Sequence, residues 1–173
     1  MKCCAFIFCF TILFSSGLFA QDTEFPKGFV MYAKLHDGMI TAFNNTPDLF
    51  VGGIQLVPEV TVVEHLMRLG VIADGFYADK KIQGAIGPTL SIKLKTFKAG
   101  YFGSAGNVHL LVNHLWGTSN ERLIGGGIVA DVLNKFTIGI TTHRDYQQNN
   151  WWFQNELGFR ISKTKKPKEP FNQ

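Results

Sequence analysis

From Phe29 to Ser162 the apolar residues recur at every second position, a period that builds sheets and rules out amphipathic helices. The clearest stretch is Ile82–Leu94. There Ile82, Gly84, Ile86, Pro88, Leu90, Ile92 and Leu94 share one face, and Gln83, Ala85, Gly87, Thr89, Ser91 and Lys93 the other. Phe136–His143 repeats the alternation. So does the segment from Trp151 to Ile161, where Trp151, Phe153, Leu157, Phe159 and Ile161 oppose Trp152, Gln154, Glu156, Gly158 and Arg160. In noisier runs, Phe50, Ile54, Leu56, Val60 and Val62 oppose Gln55, Glu59 and Thr61, and Met67, Leu69, Val71 and Ala73 oppose Arg68, Gly70 and Asp74.

Turn-forming residues divide these runs at 44–48, 78–81, 117–121, 133–135 and 144–150, with a tight reversal near Glu64-His65 and a longer glycine-bearing connection at Lys98–Asn107. The divisions predict eight strands, at about 28–43, 49–63, 66–77, 81–96, 107–116, 122–132, 136–144 and 151–162. A break at Asp37-Gly38, a good hairpin dipeptide, would split the first of them. Short connections imply antiparallel neighbours, and an even number of them that closes on itself is an up-and-down barrel. The expected fold is therefore all-β, an antiparallel up-and-down barrel of about eight strands over residues 25–162.

The first 20 residues read as a secretory signal peptide: Lys2, then an apolar run Cys3–Phe14 broken only by Thr11, then Leu18-Phe19-Ala20 before a polar change at Gln21-Asp22. Cleavage after Gly17 and an uncleaved anchor are the alternatives. Cys3, Cys4 and Cys9 all lie in that leader, so the mature part offers no disulfide, thiolate ligand or cysteine nucleophile. The formal charge of +4 is likewise peripheral. Lys163, Lys165, Lys166 and Lys168 against Glu169 make the 163–173 tail basic, Lys2 supplies the rest, and the body carries 12 cations against 12 anions. A nucleic-acid binder carries its basic face within the folded part, so no nucleic acid is expected as a partner.

Alternation alone does not say which face meets water. A lipocalin-like soluble barrel has an apolar interior, and an outer-membrane barrel is the inverse. Charged residues make up 17% of the chain, against about 25% in ordinary soluble domains. The polar face is largely Gly, Thr, Ser and Gln, with charges of mixed sign at Lys34, Glu59, Arg68, Asp74, Lys93, Lys95, Asp131, Glu156 and Arg160, which suits a lumen filled with ion pairs. Aromatics gather near the strand ends. Phe43, Phe50, Phe76, Tyr77, Trp116, Tyr146, Trp151 and Trp152 fall at one rim, and Phe29, Phe97, Tyr101, Phe102, Phe136 and Phe159 at the other. Between them the wall is aliphatic, as in two interfacial girdles around a lipid-facing band.

In these features the chain resembles the small eight-stranded outer-membrane barrels of bacteria, over about Phe29–Ser162. The resemblance is architectural. It implies a transmembrane sheet, both termini in the periplasm, a bacterial outer-membrane location and lipid of that membrane as a partner. It also implies a structural, adhesive or envelope-assembly role, because eight strands leave an interior that side chains just fill. Such barrels usually end on an aromatic residue of the last strand; here an 11-residue tail follows Ser162, leaving Phe159 and Ile161 as the nearest terminal signal. A soluble periplasmic carrier of lipid or another apolar ligand is the second reading, and an outer-membrane lipid-modifying enzyme the third.

Chemistry is sparse. Glu59, Arg68, Asp74, Lys93, Asp131, His143, Glu156 and Arg160 are expected to form a polar lumen network, with His143 and Glu156 on neighbouring strands the one pair placed for acid–base work. His114, Ser119 and Glu121 invite comparison with outer-membrane lipid A deacylases, but the His-x-Ser-Asn element of those enzymes is absent. Gly125-Gly126-Gly127 lacks the Lys-Ser/Thr and the helix of a phosphate loop, and fits strand curvature instead. No His/Asp/Glu set has metal-ligand spacing, so neither metal nor cofactor is assigned. The lysines of the tail, Lys163, Lys165, Lys166 and Lys168, are the candidates for pairing with lipid phosphates, cell wall or an envelope protein complex.

Overall fold

The computed structural model describes residues 28–44, 47–99, 104–133 and 135–162, and these form one closed antiparallel barrel. Its strands are β1 (Phe29–Thr41), β2 (Leu49–Val63), β3 (Met67–Ala78), β4 (Lys81–Ala99), β5 (Ser104–Gly117), β6 (Arg122–Val132), β7 (Phe136–Asp145) and β8 (Asn150–Arg160). Each pairs with its sequence neighbour, and β1 closes on β8 from Tyr32↔Arg160 to Thr41↔Trp151. Closure leaves no row of unpaired backbone groups at an edge. The predicted leader, the lysine tail, Tyr101 and Phe102 lie outside the described residues.

Local chemistry accounts for the turns. Asp79 and Lys80 both take positive φ between the pair Ala78↔Lys81, the two-residue hairpin whose twist matches its strands. His65, at φ 64°, carries the reversal between β2 and β3. Asp37-Gly38 does not break β1, because both residues stay paired with β2 and β8. The connection expected over Lys98–Asn107 is shorter than the sequence suggested: β4 and β5 remain paired out to Ala99↔Ser104. Within β6, a Cβ on Gly126 would collide with the carbonyl of Leu111, and one on Gly127 with that of Ile140. The glycine run lets β5 and β7 approach β6 where no side chain fits.

The turn between β7 and β8 depends on Asp145, which is fully buried at the barrel end. Its Oδ1 accepts backbone N–H bonds from Arg122 at 3.2 Å, Gln147 at 2.9 Å and Gln148 at 3.1 Å. Asp145→Ala removes a charged acceptor from three donors, so a loss of about 2 kcal/mol in urea unfolding is expected. Asp145→Asn keeps one carbonyl oxygen and should recover part of it. An alanine variant as stable as the parent would show that the turn holds itself.

The two faces of the sheet differ sharply. The outer face is apolar: Ile82 is 88% exposed and Ile140 65%, with Leu35, Ile54, Leu56, Ile86, Ile124, Ile128, Ile138 and Leu157 also exposed. The inner face carries nearly all the buried polar residues. Two irregularities shift the phase. One lies between Thr61 and Val63, the other between Lys93 and Lys95. At the second, Lys93 stays in the row of lumen-facing His109. Thr96 then re-enters the lumen, where it bonds Asn107 at 2.9 Å. Lys95, expected on the polar face with Lys93, is instead exposed, because an extra residue in one strand reverses the alternation beyond it.

Candidate functional site in the barrel lumen

The lumen is layered along its axis. At the end that holds the β1–β2, β3–β4, β5–β6 and β7–β8 turns, Ile40, Val51, Phe76, Ala78, Ala85, Leu115, Leu123 and Trp152 form an apolar cluster. Phe76 and Trp152, each 2% exposed, meet edge to face with ring centroids 5.3 Å apart. Both were expected in the outer aromatic girdle, and both point inward. The reason is phase: Phe76 follows Asp74 by two residues and Trp152 precedes Gln154 by two, so each shares the face of a lumen polar group. The exposed aromatics Phe43, Phe50, Tyr77, Trp116 and Tyr146 remain outside at this end, with Phe29, Phe97, Phe136 and Phe159 at the other.

Beneath this plug lies a hydrogen-bonded layer of imidazole, amide and carboxylate groups. His36 Nε2 meets Asp74 Oδ1 at 2.9 Å, and its Nδ1 faces the Gln154 amide at 2.9 Å. Gln55 donates to the other oxygen of Asp74 at 3.2 Å, and His143 Nε2 meets Asn113 Oδ1 at 2.7 Å. Four strands thus meet through His36 and Asp74 alone, since β1, β2, β3 and β8 each contribute one member.

Toward the chain termini the layer is ionic. Lys34 Nζ donates to Glu156 Oε2 at 2.8 Å, and Thr141 donates to the other oxygen of Glu156 at 3.2 Å. Arg68 donates to the Tyr32 hydroxyl at 2.9 Å, and that hydroxyl donates to Asp131 at 3.1 Å. The same guanidinium lies 3.9 Å from both Glu59 and Asp131, and Ser91 donates to Glu59 at 2.6 Å. His109 is 4.0 Å from Asp131. Lys93 and half-buried Arg160 stand at the rim of this layer, with Arg160 Nε donating to Ser162 at 3.1 Å. In this layer Lys34 and Arg68, with Lys93 and Arg160 at its rim, stand among the carboxylates Glu59, Asp131 and Glu156. In a low-dielectric interior such pairing is what makes buried charge tolerable.

The structure therefore gathers Glu59, Arg68 and Asp131 into one cluster and leaves Asp74, His143 and Glu156 in others. His143 and Glu156 do not pair. In the register of β7 and β8, His143 is opposite Trp152 and Glu156 is opposite Gly139, so the two are four residues out of step. The partner of Glu156 comes instead from β1, across the closure seam. Tyr32, His36 and Asn113 join the network without having been assigned to it from the sequence, and Gln55, Ser91 and Gln154, expected on the polar face, gain partners there. Their signal was the phase of their strands, since each lies an even number of residues from a recognised lumen charge or, for Asn113, from His109.

Chemically, the arrangement holds groups in place. His36 has the carboxylate of a base–orienter pair, but its second nitrogen faces an amide and no hydroxyl. Ser91 bonds directly to Glu59 with no imidazole between them. His114, Ser119 and Glu121 do not converge: His114 lies on the outer wall against Tyr146, at 3.1 Å, while Glu121 turns into the barrel mouth and accepts the Ser119 backbone N–H at 2.8 Å. Among the described residues, no group of three His, Asp or Glu is placed to hold a metal ion. Open space at the mouth, about 170 Å³ beside Trp152, Gln83 and Glu121, falls below the several hundred Å³ of a typical ligand pocket. In comparisons with known proteins, no family model and no curated protein matches the chain.

Proposed function

We propose that this protein is a non-enzymatic outer-membrane barrel of the bacterial envelope, with a structural, adhesive or assembly role. The observation that carries the reading is the direction of the faces: exposed aliphatic residues all around the outer wall, and buried ion pairs inside. A barrel that meets lipid outside and encloses its polar groups needs that arrangement, and a lipocalin-like carrier needs the reverse. The filled lumen supports a closed barrel over a pore, since both the apolar plug and the ionic layer lie across the path of an ion. Export through a cleaved leader and insertion with both chain ends in the periplasm belong to the same reading.

Membrane fractionation tests it. The full chain should resist extraction by salt and carbonate, and should migrate differently on gels before and after boiling. Release without detergent would overturn the membrane assignment. A sharper test uses Leu35, exposed at the middle of β1 opposite Ile54 and Leu157. Arginine there should destabilise the barrel in bilayers by about 2–4 kcal/mol. On a wall that meets water, the same change should fall within about 0.5 kcal/mol of zero.

A further inference from the structure

The outer wall is not uniformly apolar. Over β5–β8, at the end opposite the chain termini, it carries two arginines. Arg122 is paired with Trp116, and Arg144 with both Ile124 and Trp151. Their strand neighbours Leu123 and Asp145 are buried in the lumen, so both arginines belong to the outward face. Ile124↔Arg144 is two residues along the register from the Arg122 row, where Tyr146 N–H bonds the Arg122 carbonyl at 3.2 Å. The two guanidinium-bearing residues are thus diagonal cross-strand neighbours of like charge, close enough for long side chains to reach one anion between them.

The nearby carboxylates do not supply that anion. Glu121 and Asp145 are buried on the lumen side, and Asp145 is engaged by three backbone N–H groups. Arg144 is held in place, bonded to the Asn149 backbone carbonyl at 3.1 Å and to its side-chain oxygen, with its guanidinium 5.2 Å from the Trp151 ring. Directly below, the wall sinks into a groove of about 1060 Å³ whose floor includes Gly126, Gly127, Ile128, Ile138, Ile140 and Thr142. The outward carboxylate on its far edge, Asp37, is two strands away on β1 and takes a hydrogen bond from Asn155 at 3.3 Å.

We propose that this wall binds one phosphate-bearing membrane lipid, its phosphate between Arg122 and Arg144 and an acyl chain in the groove beneath. Trp116, Tyr146 and Trp151 frame the headgroup level, where amphipathic rings sit at a membrane surface. Two guanidiniums suit a phosphate better than a single lysine would, because each offers a planar fork of donors. The glycines and Thr142 below leave room for a chain, and the aliphatic floor gives it apolar contact. The inference rests on the membrane reading. Under that reading, with the chain ends in the periplasm, the lipid belongs to the external leaflet.

Native mass spectrometry of the full chain, refolded in zwitterionic detergent and offered equimolar dioleoyl phosphatidic acid and dioleoyl phosphatidylcholine, tests it. One phosphatidic acid should be retained, with a preference of about tenfold or more, the effect of one charge-assisted hydrogen bond. R122Q/R144Q should abolish the preference, and each single variant should lose part of it. T142W, which fills the groove without changing charge, should lower retention of both lipids. Unchanged heat-modifiable mobility shows that each variant has folded. Equal retention of both lipids by the parent, or undiminished preference in R122Q/R144Q, overturns the lipid site. So does full displacement of the lipid by millimolar inorganic phosphate, which would mark a site for the free ion. A parent chain that floats with vesicles but shows no preference overturns the lipid site alone. One that does not enter vesicles overturns the membrane reading and the site with it.

Discussion

Replacing Arg68 with leucine is expected to cost about 3–5 kcal/mol of stability, one of the two largest effects of any single change in this barrel. The guanidinium is the shared partner of three groups from three other strands: the Tyr32 hydroxyl at 2.9 Å, and Glu59 and Asp131, each at 3.9 Å. All four residues are buried. Leucine leaves two carboxylates facing each other across the lumen with no cation between them. Urea unfolding followed by gel mobility measures the loss. A triple change, Arg68→Leu with Glu59→Gln and Asp131→Asn, removes the stranded charges and should recover more than half of it. If the triple variant is no more stable than Arg68→Leu, the cost comes from lost packing and the ionic account is wrong.

Trp152→Ala should also cost about 3–5 kcal/mol, for an unrelated reason. Trp152 is the largest member of the apolar plug and meets Phe76 at 5.3 Å. Alanine opens a void that Ile40, Ala78 and Leu123, fixed on a rigid sheet, cannot move to fill. The indole Nε1 makes no hydrogen bond to a described residue, so Trp152→Phe should lose only volume and retain most of the stability. If phenylalanine proves as damaging as alanine, the nitrogen matters and the plug is not held by packing alone.

These two sites differ in how far the sequence exposed them. Arg68 was legible as a lumen charge because it alternates with Met67 and Leu69, and strand phase places a residue inside or outside without any knowledge of its neighbours. The identity of its partners was not legible. Tyr32 and Asp131 lie on β1 and β6, and only the closing of the sheet on itself carries β3 close to both. The same limit explains the failed pairing of His143 with Glu156. Their strands are adjacent, as the turns imply, but adjacency without register says nothing about height along the barrel. Lys95 was misplaced for a third reason. One inserted residue inverts the phase of all that follows, and a bulge leaves little trace in the pattern of side chains.

The arginine pair on the outer wall belongs with these. Arg122 and Arg144 are 22 positions apart in the chain and ordinary in composition. Antiparallel pairing of β6 with β7 makes them diagonal neighbours above a groove, and that juxtaposition carries the lipid proposal.

The sequence by itself determined the class of fold, the number of strands, their limits to within a few residues at most ends, and which face of each strand is apolar. All of these are local. They follow from a period of two residues and from turn chemistry a few residues long, and they need no partner to be read. Tertiary structure alone decided the register, the point of closure, the two phase shifts, and so every contact between side chains on different strands. Those depend on how the strands slide past one another as the sheet closes. That choice is settled by the sum of lumen packing and ion pairing, which no single stretch of the chain contains.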